Sequence, residues 1–597
     1  MEANRKRLTS IIKTIIFCGH NNISLRGHRD DGILDYESAI TGKEGIFRSL
    51  LAFRLDSGDN ILKDHFKSCG KNATMISKTI QNEIINVLHQ VITESIVKNI
   101  KKNIFFSIIC DETTDVSTKE QLSFSVRYVD MDQSQIKEEF LGFLELSSTT
   151  GIAIKNEILK QLENFGLNLG HVRGQGYDGG SNMSGRFNGV QALILEEQPL
   201  AVYTHCFSHG LNLCISKVCE LSTVRNMVGI VGAVSVFLSA SAKRNNILLT
   251  VIENTDSVSL PKKTKLKAMC TTRWVERHDS IITFRELFPY IVNALDIIEE
   301  DFDREISTKA VSFSSSIKRS DFLISLEIVA NLFSYTKDLS IKLQSPQQDL
   351  SSAFSHVKEV IQIFEAKRNN CDEEFSICFK NASEVASKIG EEIKIPRLCG
   401  RQTNRNNIKT SNPEDWFRIT IYIPFIDHFI TELNSRFNDR FKDIIPLEGL
   451  IPANNHKYKT EEILKAALIY DDDIPANSHL EIQAELELWK TKWTNIENPK
   501  PQTAVETLVH CKVFYPNITI LLQIFATITI TSATAERSFS SLRRLKNYMR
   551  SSMTEDRLNG LAVLHIHKEI PIDIDDVINR FSRQKQRRMK TEDWSKD

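Results

Sequence analysis

The clearest pattern in the first part of the chain is a run of apolar, β-favouring residues that ends in an acidic side chain. Residues 104–110 read IFFSIIC, and Asp111 follows directly. A continuous apolar run of this length is typical of a strand that is buried on both faces. The pattern therefore predicts a central strand that delivers the Asp111 carboxylate to its exposed C-terminal tip. A capped strand end without further function would leave the same pattern.

Two alternating patterns and a helical one follow this strand. Apolar and polar side chains alternate over residues 122–128, and residues 136–148 give a third strand after a short polar turn. Strands that are joined so tightly pair in antiparallel fashion. Apolar residues at helical spacing then predict a helix over residues 152–165. The predicted order is strand, strand, strand, helix.

A second acidic residue follows a short extended segment. Asp178 comes directly before Gly179, Gly180 and Ser181, small residues that allow close approach of the backbone. An Asx-type turn, in which Asp178 binds its own backbone, would explain the same residues. The pattern after this turn predicts a helix over residues 186–197.

Most of the remaining chain is predicted to be helical. Residues 1–100 show amphipathic helical patterns, and from about residue 219 to residue 500 helices alternate with polar loops. One long helix is predicted over residues 270–298, with Arg273 and Trp274 near its start. Residues of these two types at a helix edge are usually part of the packing and the surface.

The C-terminal block contains two predicted helices around a polar knuckle. Ser532 and Thr534 favour a helix N-cap, and Glu536 follows them in the first turn. The apolar side chains of this second helix lie on one face: Phe539, Leu542, Leu545 and Met549. Glu536 could also do no more than complement the helix dipole.

Length and composition indicate a protein of two or more domains with ordinary polarity. The chain has 597 residues, too many for one compact core, and 75 basic side chains against 76 acidic ones. This balance differs from that of a dedicated nucleic-acid coat protein, although local basic clusters can still bind nucleic acid. The 11 cysteines form no regular framework, which favours free thiols in a reducing compartment. We expect no membrane partner, because no apolar run in the sequence is long enough to span a bilayer.

A C-x2-H pair, Cys206 and His209, stands where a predicted short strand runs into a helix. This spacing can place two metal ligands together. Structural zinc normally takes four ligands, and no matching second pair is evident. The pair is therefore interpreted as a possible structural motif, with zinc as the open alternative.

The order of the predicted elements matches the ribonuclease-H-like order. In that arrangement Asp111, Asp178 and Glu536 converge on one edge of the sheet, although they are far apart in sequence. Three carboxylates that meet suit hard divalent cations, Mg²⁺ or Mn²⁺. Two such ions activate a water molecule and stabilise the leaving oxygen in phosphodiester cleavage.

Several motifs resemble those of hAT-superfamily transposases, and in particular the transposase-derived group that includes zinc finger MYM-type-like proteins and repressors of the protein kinase inhibitor. The resemblance covers about residue 40 to residue 570. It is carried by DETTD, GYDGGSNMSG, HCFSHGLNL, TTRW and the C-terminal block that begins SATAERSFSSLRRLKNYMR. It implies that Asp111, Asp178 and Glu536 are the catalytic, metal-binding triad.

The same resemblance implies roles for two further pairs of residues. Cys206 and His209 match the family's C-x2-H motif. Arg273 and Trp274 match its RW motif and are expected to bind DNA, with the indole supporting a flipped base at the transposon end. The expected partners are DNA and further copies of the chain, in a homodimer or a larger oligomer.

The implied fold is an α/β ribonuclease-H-like catalytic domain that is interrupted by a large all-α insertion and accompanied by N-terminal helices and a C-terminal helical dimerisation region. The expected regions, in chain order, are N-terminal helices (1–100), the first part of the ribonuclease-H-like domain (101–210), the helical insertion (211–505), domain completion with the dimerisation region (506–570) and a basic polar tail (571–597).

Two functional interpretations follow. One is a metal-dependent transposase core that cuts DNA ends and joins them to target DNA, which the intact triad favours. The other is a host-recruited, catalytically inactive nuclear regulator that keeps the fold for dimerisation and for partner or DNA binding. The neutral net charge favours this regulator, as does the absence from residues 1–100 of the zinc-finger spacing that such transposases usually carry. Both predict a nuclear protein, and Arg583–Lys590 is a candidate import signal or a solvated basic tail.

Overall fold

The computed structural model describes residues 2–585 apart from a set of gaps. The gaps are residues 28–29, 31–33, 35–43, 71–72, 255–262, 268, 270–273, 398–407, 409, 438–440, 477, 495, 497–498, 512–513 and 549. Two compact units make up the chain: the sheet unit, Met1–Cys206 with Pro446–Asp597, and the helical unit, Phe207–Ile445. The described residues are mostly helical, with one small mixed sheet.

Among the described residues, four helices precede the sheet: α1 (Glu2–His20), α2 (Ile46–Asp56), α3 (Asn60–Ser68) and α4 (Lys78–Asn103). The apolar stripe of α4 is buried, with Ile84, Val87 and Ile92 among its inward-facing residues. Such a stripe forms because residues three and four apart share one face of a helix. It joins the hydrophobic core beneath the sheet.

Five strands form the sheet: β1 (Phe106–Thr114), β2 (Glu120–Asp130), β3 (Gln135–Leu146), β4 (Val172–Tyr177) and β5 (Val202–His205). Their order across the sheet is β3-β2-β1-β4-β5. β2 is antiparallel to both β1 and β3, whereas β4 runs parallel to β1 and β5 runs parallel to β4. The predicted antiparallel pairing of the second and third strands is confirmed.

The C-terminal tip of β1 lies farther along the chain than the sequence predicts. β1 continues beyond Asp111 because β2 pairs with it as far as Thr114 and Glu120. Pairing with β4 ends earlier, at Ile109 and Gly176. Asp111 is therefore not the tip of β1 but lies just past the end of its parallel pairing.

Three helices connect the strands: α5 (Gly151–Phe165), α6 (Ser181–Ser184) and α7 (Val190–Glu197). The helix predicted over residues 186–197 begins only at Val190. In the preceding turn a Cβ atom on Gly189 would lie 2.4 Å from the backbone nitrogen of Gly185. Only glycine permits so close an approach, and this turn delays the start of the helix.

Among its described residues the helical unit contains the following helices: α8 (Phe207–Val218), α9 (Ser222–Ser239), α10 (Ala242–Glu253), α11 (Trp274–Glu286), α12 (Phe288–Asp301), α13 (Arg304–Ile317), α14 (Ser320–Leu343), α15 (Leu350–Asn369), α16 (Cys371–Lys388), α17 (Pro413–Phe417) and α18 (Ile423–Phe437). A π-helical turn, Arg418–Tyr422, joins α17 to α18. α14 packs against α9, α11, α15 and α16.

The single helix predicted over residues 270–298 is two helices. α11 ends at Glu286, and α12 begins at Phe288. Pro289 lies in the first turn of α12. Proline donates no backbone hydrogen bond and its ring clashes with the preceding turn, so it is tolerated at a helix start and breaks a helix interior.

One of the described helices overturns the expectation that no apolar run could span a bilayer. α9 is long and apolar enough to do so by length and composition alone. Core helices of soluble proteins pass the same test. Within the helical unit α9 packs against α10, α13 and α14.

The sheet unit resumes at Pro446 and contains α19 (Thr460–Ala467), α20 (His479–Thr494), α21 (Ala504–Cys511), α22 (Pro516–Thr527), α23 (Ala533–Leu545), α24 (Glu555–Ile566) and α25 (Ile574–Arg583). Short 3₁₀ turns precede and follow α19: Ile445–Leu450, Pro452–Asn454 and Leu468–Asp473. α22 packs on β1, β2 and β4, α23 on β1, β2 and β3, and α24 on α4 and β3.

The helical insertion predicted over residues 211–505 stays a prediction, and the helical unit ends before its expected boundary. Asn517 in α22 donates a hydrogen bond of 2.6 Å to Glu485 in α20. This buried contact ties residues ahead of position 505 to the sheet unit.

Candidate functional site

Strand register brings Asp111 and Asp178 to the same end of the sheet. The last paired residues of β1 and β4 are Ile109 and Gly176. Asp111 and Asp178 each follow two residues later, and parallel strands present their carboxyl ends at one edge. Both side chains are half-buried. The Asx-type turn is also present, since Gly180 donates its N–H to Asp178 Oδ1 at 3.0 Å.

α23 carries Glu536 to this edge. Glu536 lies in the first turn of α23, and two residues later Ser538 Oγ donates to Ser123 Oγ at 2.8 Å. Ser123 is the β2 residue directly paired with Asp111. A buried hydrogen bond thus fixes the start of α23 beside the residue that flanks Asp111.

Asp178 and Glu536 both act electrostatically on Asp111. Burial raises the pKa of Asp111 well above its ordinary value, and the nearby carboxylates of Asp178 and Glu536 raise it further. Among the described side chains, no Lys, Arg or His lies within 4.0 Å of these three carboxylates to form an ion pair. Within the described residues, these carboxylates therefore have no ion-pair partner.

Glu112 is a fourth acidic residue of this edge, and the sequence pattern assigned it to a loop. Its Oε1 accepts a hydrogen bond from Asn182 Nδ2, and its Oε2 is buried without a hydrogen-bond partner among the described residues. Burial raises its pKa, and Asp178 raises it further. Its position directly after Asp111 in DETTD could have indicated a role for Glu112, but Asn182, its hydrogen-bond partner, lies far away in sequence.

The donor chemistry of this edge fits a hard divalent cation. Carboxylate oxygens are the ligands that Mg²⁺ and Mn²⁺ prefer, and the unpartnered Oε2 of Glu112 offers one more. The arrangement is not a preassembled cage, because the described part of the chain contains no group of three or more His, Cys, Asp and Glu side chains positioned to hold one metal ion.

A buried ion pair fastens the start of α23 and the end of α22 to the sheet. Arg127 and Glu138 pair at 2.9 Å with side chains 0% and 1% exposed. Thr534 donates its hydroxyl to Glu138, and Arg127 donates to the carbonyl oxygen of Ala526 at 3.1 Å. These contacts hold both flanks of the segment that leads to Glu536.

Cys206 contacts the same segment through its thiol. Its thiol is buried and accepts the N–H of Ser532, the N-cap residue of α23, at 3.3 Å. Its own N–H donates to the carbonyl oxygen of Tyr177, the residue before Asp178, at 2.9 Å. Burial raises the pKa of Cys206, and Glu536 raises it further. All described cysteines are free thiols, as predicted.

Two of the other predicted site residues, His209 and Trp274, belong to the helical unit. His209 lies in the first turn of α8, in the helical unit. Trp274 is the first residue of α11, and Arg273 lies outside the described residues. Met549 and most of the basic segment Arg583–Lys590 also lie outside the described residues.

Two family models match the chain. Residues 1–189 match the model described as ZMYM1/FAM200, RNase-like domain, and residues 483–570 match the hAT family C-terminal dimerisation region. The predicted resemblance to hAT-transposase-derived proteins is thereby confirmed for these two regions, an RNase-like region in the N-terminal part of the chain and a hAT dimerisation region in the C-terminal part.

Two curated relatives match nearly the whole chain. The 52 kDa repressor of the inhibitor of the protein kinase from Homo sapiens is 28% identical over 592 residues, which cover 97% of this chain and 76% of that protein. The protein of the same name from Mus musculus is 28% identical over 589 residues, with the same coverage.

Proposed function

We propose that this chain acts on DNA through a ribonuclease-H-like core, in which Asp111, Asp178 and Glu536 serve cation-dependent strand cleavage and transfer. The observation that supports the proposal is that Asp178 and Glu536, both far from Asp111 in sequence, act together with burial to raise the pKa of Asp111. Repulsion between neighbouring carboxylates is relieved by protonation or by a bound cation, and groups with such perturbed pKa values are common at functional sites.

The sheet supports the fold assignment. Its order is β3-β2-β1-β4-β5, in which only β2 runs opposite to the other strands, and Asp111 and Asp178 each lie two residues beyond the last parallel pair of β1 and β4. The helical unit, Phe207–Ile445, lies between the two parts of the sheet unit along the chain, as an insertion would. In open α/β sheets, ligands bind beyond the carboxyl ends of parallel strands.

The residues at this edge would have two roles, cation binding and positioning. Asp111, Asp178 and Glu536 would hold Mg²⁺ or Mn²⁺, with Glu112 as a further oxygen donor. A bound divalent cation supplies activation of water and stabilisation of the leaving oxygen in phosphodiester cleavage. Ser123, through Ser538, keeps the helix of Glu536 in register with Asp111.

Cleavage of supercoiled plasmid DNA by the purified full chain tests this proposal. We expect nicking with Mg²⁺ or Mn²⁺, and loss of nicking to background in Asp111→Asn, which removes a charge without changing the shape of the side chain. Asp64→Asn is the matched control, since Asp64 is an exposed residue of α3 outside the site. Equal nicking by Asp111→Asn and Asp64→Asn would refute the catalytic role.

A second candidate is a non-catalytic regulator that self-associates. The relatives carry the name of a repressor, and no described group of side chains is preassembled to hold a metal ion. The match to the hAT C-terminal dimerisation region supports self-association. Folded, self-associating wild-type protein that neither binds Mn²⁺ nor nicks DNA would select this candidate.

Both candidates place the protein in the nucleus. The basic segment Arg583–Lys590 and the repressor name of the relatives support this location. Replacing the basic residues of this segment by Gln should shift a fluorescently labelled chain toward the cytoplasm, and unchanged nuclear fluorescence would exclude the segment as an import signal.

A further inference from the structure

Three arginines from distant parts of the sheet unit come together beside α4. Arg26 follows α1, Arg550 lies between α23 and α24, and Arg557 lies in the first turn of α24. Arg26 Nη2 and Arg557 Nη1 both donate to Oδ1 of Asn82, the former at 2.6 Å. Two guanidinium groups therefore converge on one neutral oxygen.

Arg550 joins this cluster through neutral acceptors as well. Its Nη1 donates to Asn22 Oδ1 at 3.3 Å, and its Nη2 donates to Ser24 Oγ. Asn22 and Ser24 lie on the short segment that leads to Arg26. We call Arg26, Arg550 and Arg557 the arginine cluster.

Within the described residues, the cluster lacks the carboxylate partners that buried arginines usually have. None of its three guanidinium groups forms an ion pair with a described Asp or Glu. Asp30 acts electrostatically on Arg26, but its oxygens accept the N–H groups of Gly27 and Gly45 at 2.8 and 2.7 Å. Glu555 and Asp556, the acidic neighbours of Arg557, form no ion pair with it.

The positive charges of the cluster repel one another. Arg557 is only 8% exposed, and burial together with Arg26 and Arg550 lowers its pKa to about 10. It also lies at a helix N-terminus, where the backbone dipole favours negative charge. Buried like charges without a counter-ion are costly, so this arrangement is suited to an anion that the three side chains share.

We propose that the arginine cluster binds a phosphoryl group. Guanidinium groups bind phosphate through paired N–H donors, and the Asn22, Ser24 and Asn82 acceptors keep the three guanidinium groups in place while leaving further donors for a ligand. Arg26 is exposed and Arg550 is half-buried, so the cluster is open on that side. The phosphoryl group can belong to a nucleic-acid backbone or to free phosphate.

The position of Arg550 favours the nucleic-acid backbone. The loop that carries it is attached to the β1–β2 turn, where Ser117 Oγ donates to the carbonyl oxygen of Ser551 at 2.8 Å. Lys546 at the start of the loop forms a buried ion pair with Asp115, directly after β1. The cluster is thus linked to the end of β1 that bears the carboxylates, at which the proposed function places DNA.

Binding of the full chain to a labelled DNA duplex of about 20 base pairs tests the proposal by fluorescence anisotropy between about 50 and 200 mM salt. We expect Arg26→Gln and Arg550→Gln each to weaken binding about three- to tenfold and to lower the slope of log K against log salt by about 0.9. Arg225→Gln is the matched control, because Arg225 is an exposed helical arginine of the other unit.

Thermal unfolding with inorganic phosphate, against chloride at equal ionic strength, distinguishes the two sources. Stabilisation of wild type and not of Arg550→Gln, with unchanged DNA binding, would identify free phosphate as the ligand. Wild-type DNA affinity and an unchanged phosphate response in both variants would overturn the proposal. Neither readout uses cleavage, so the cluster can fail while the carboxylate site holds, and the reverse.

Discussion

At the scale of single residues, the sheet edge and its surroundings keep several carboxylates in unfavourable places. Burial and like charges raise the pKa of Asp111, and Glu112 keeps one oxygen without a partner among the described residues. Such residues reduce stability and are retained where they bind or react. Glu139 on β3 belongs to the same class, although it lies away from Asp111.

The stability of the sheet unit should fall as pH rises toward 7, because of Glu139. Burial raises the pKa of Glu139 from its ordinary 4.5 to about 7, against the opposing effect of Lys137. Burial lowers the pKa of His567, whose Nδ1 lies 3.3 Å from Glu139 Oε2. Between pH 4.5 and about 7, the folded state therefore keeps a proton on Glu139 that the unfolded state releases.

Denaturant titrations of wild type and Glu139→Gln between pH 4.5 and pH 8 measure this effect. The raised pKa corresponds to a loss on the order of 3 kcal/mol across the interval. Glu139→Gln should show a smaller decline and should be the more stable protein at pH 8. Parallel pH profiles of the two proteins would contradict the assignment.

At the scale of elements, the position of Glu536 depends on how α22 and α23 are attached to the sheet. The buried pair of Arg127 and Glu138 holds the carbonyl oxygen of Ala526 and the hydroxyl of Thr534. Removing one partner of such a pair leaves a buried charge without compensation. The segment that presents Glu536 would then lose its anchor on β3.

Glu138→Ala should destabilise the chain by about 3–5 kcal/mol in chemical denaturation. Glu145→Ala is the control on the same strand, because Glu145 pairs with Lys119 at the surface, and it should cost less than about 1 kcal/mol. Similar free energies of unfolding for the two variants would show that the buried pair does not hold these elements.

Sequence patterns predicted the elements whose periodicity records local burial. The alternation in β2 and β3 and the apolar run of β1 belong to this class, and so does the helix α5. The break at Pro289 was visible in the sequence, but the amphipathic pattern continues across it and favoured one helix. The extension of β1 to Thr114 depends on its partner strand β2, which local periodicity does not record.

The site was predictable only in part, for a related reason. Asp111 and Asp178 end apolar or extended segments, so their place at a sheet edge follows from local patterns. Glu112 acquires its environment from Asn182, and the arginine cluster is assembled from three distant segments. Contacts between residues so far apart in sequence leave no local periodicity.

At the scale of the whole molecule, the C-terminal dimerisation region should mediate self-association. The matched residues 483–570 include Phe514, which is 88% exposed although it is a large apolar side chain. Aromatic residues are enriched at protein–protein interfaces, and truncating a central one often weakens binding by about tenfold or more.

Phe514→Ser should therefore raise the dimer dissociation constant about tenfold in sedimentation velocity. Phe187→Ser is the matched control, since Phe187 is 77% exposed and lies outside the matched region. An unchanged dissociation constant in Phe514→Ser would remove Phe514 from the interface. An equal change in both variants would point to general loss of solubility or fold.

Calorimetric titration of the full chain with Mn²⁺ tests the proposed cation site most directly, because it measures whether the carboxylate edge binds a cation independently of any DNA. We predict binding to wild type and to Asp64→Asn, and loss of that binding in Asp111→Asn. Absence of Mn²⁺ binding to folded wild-type protein, or equal binding to all three proteins, would contradict a cation site built from Asp111, Asp178 and Glu536.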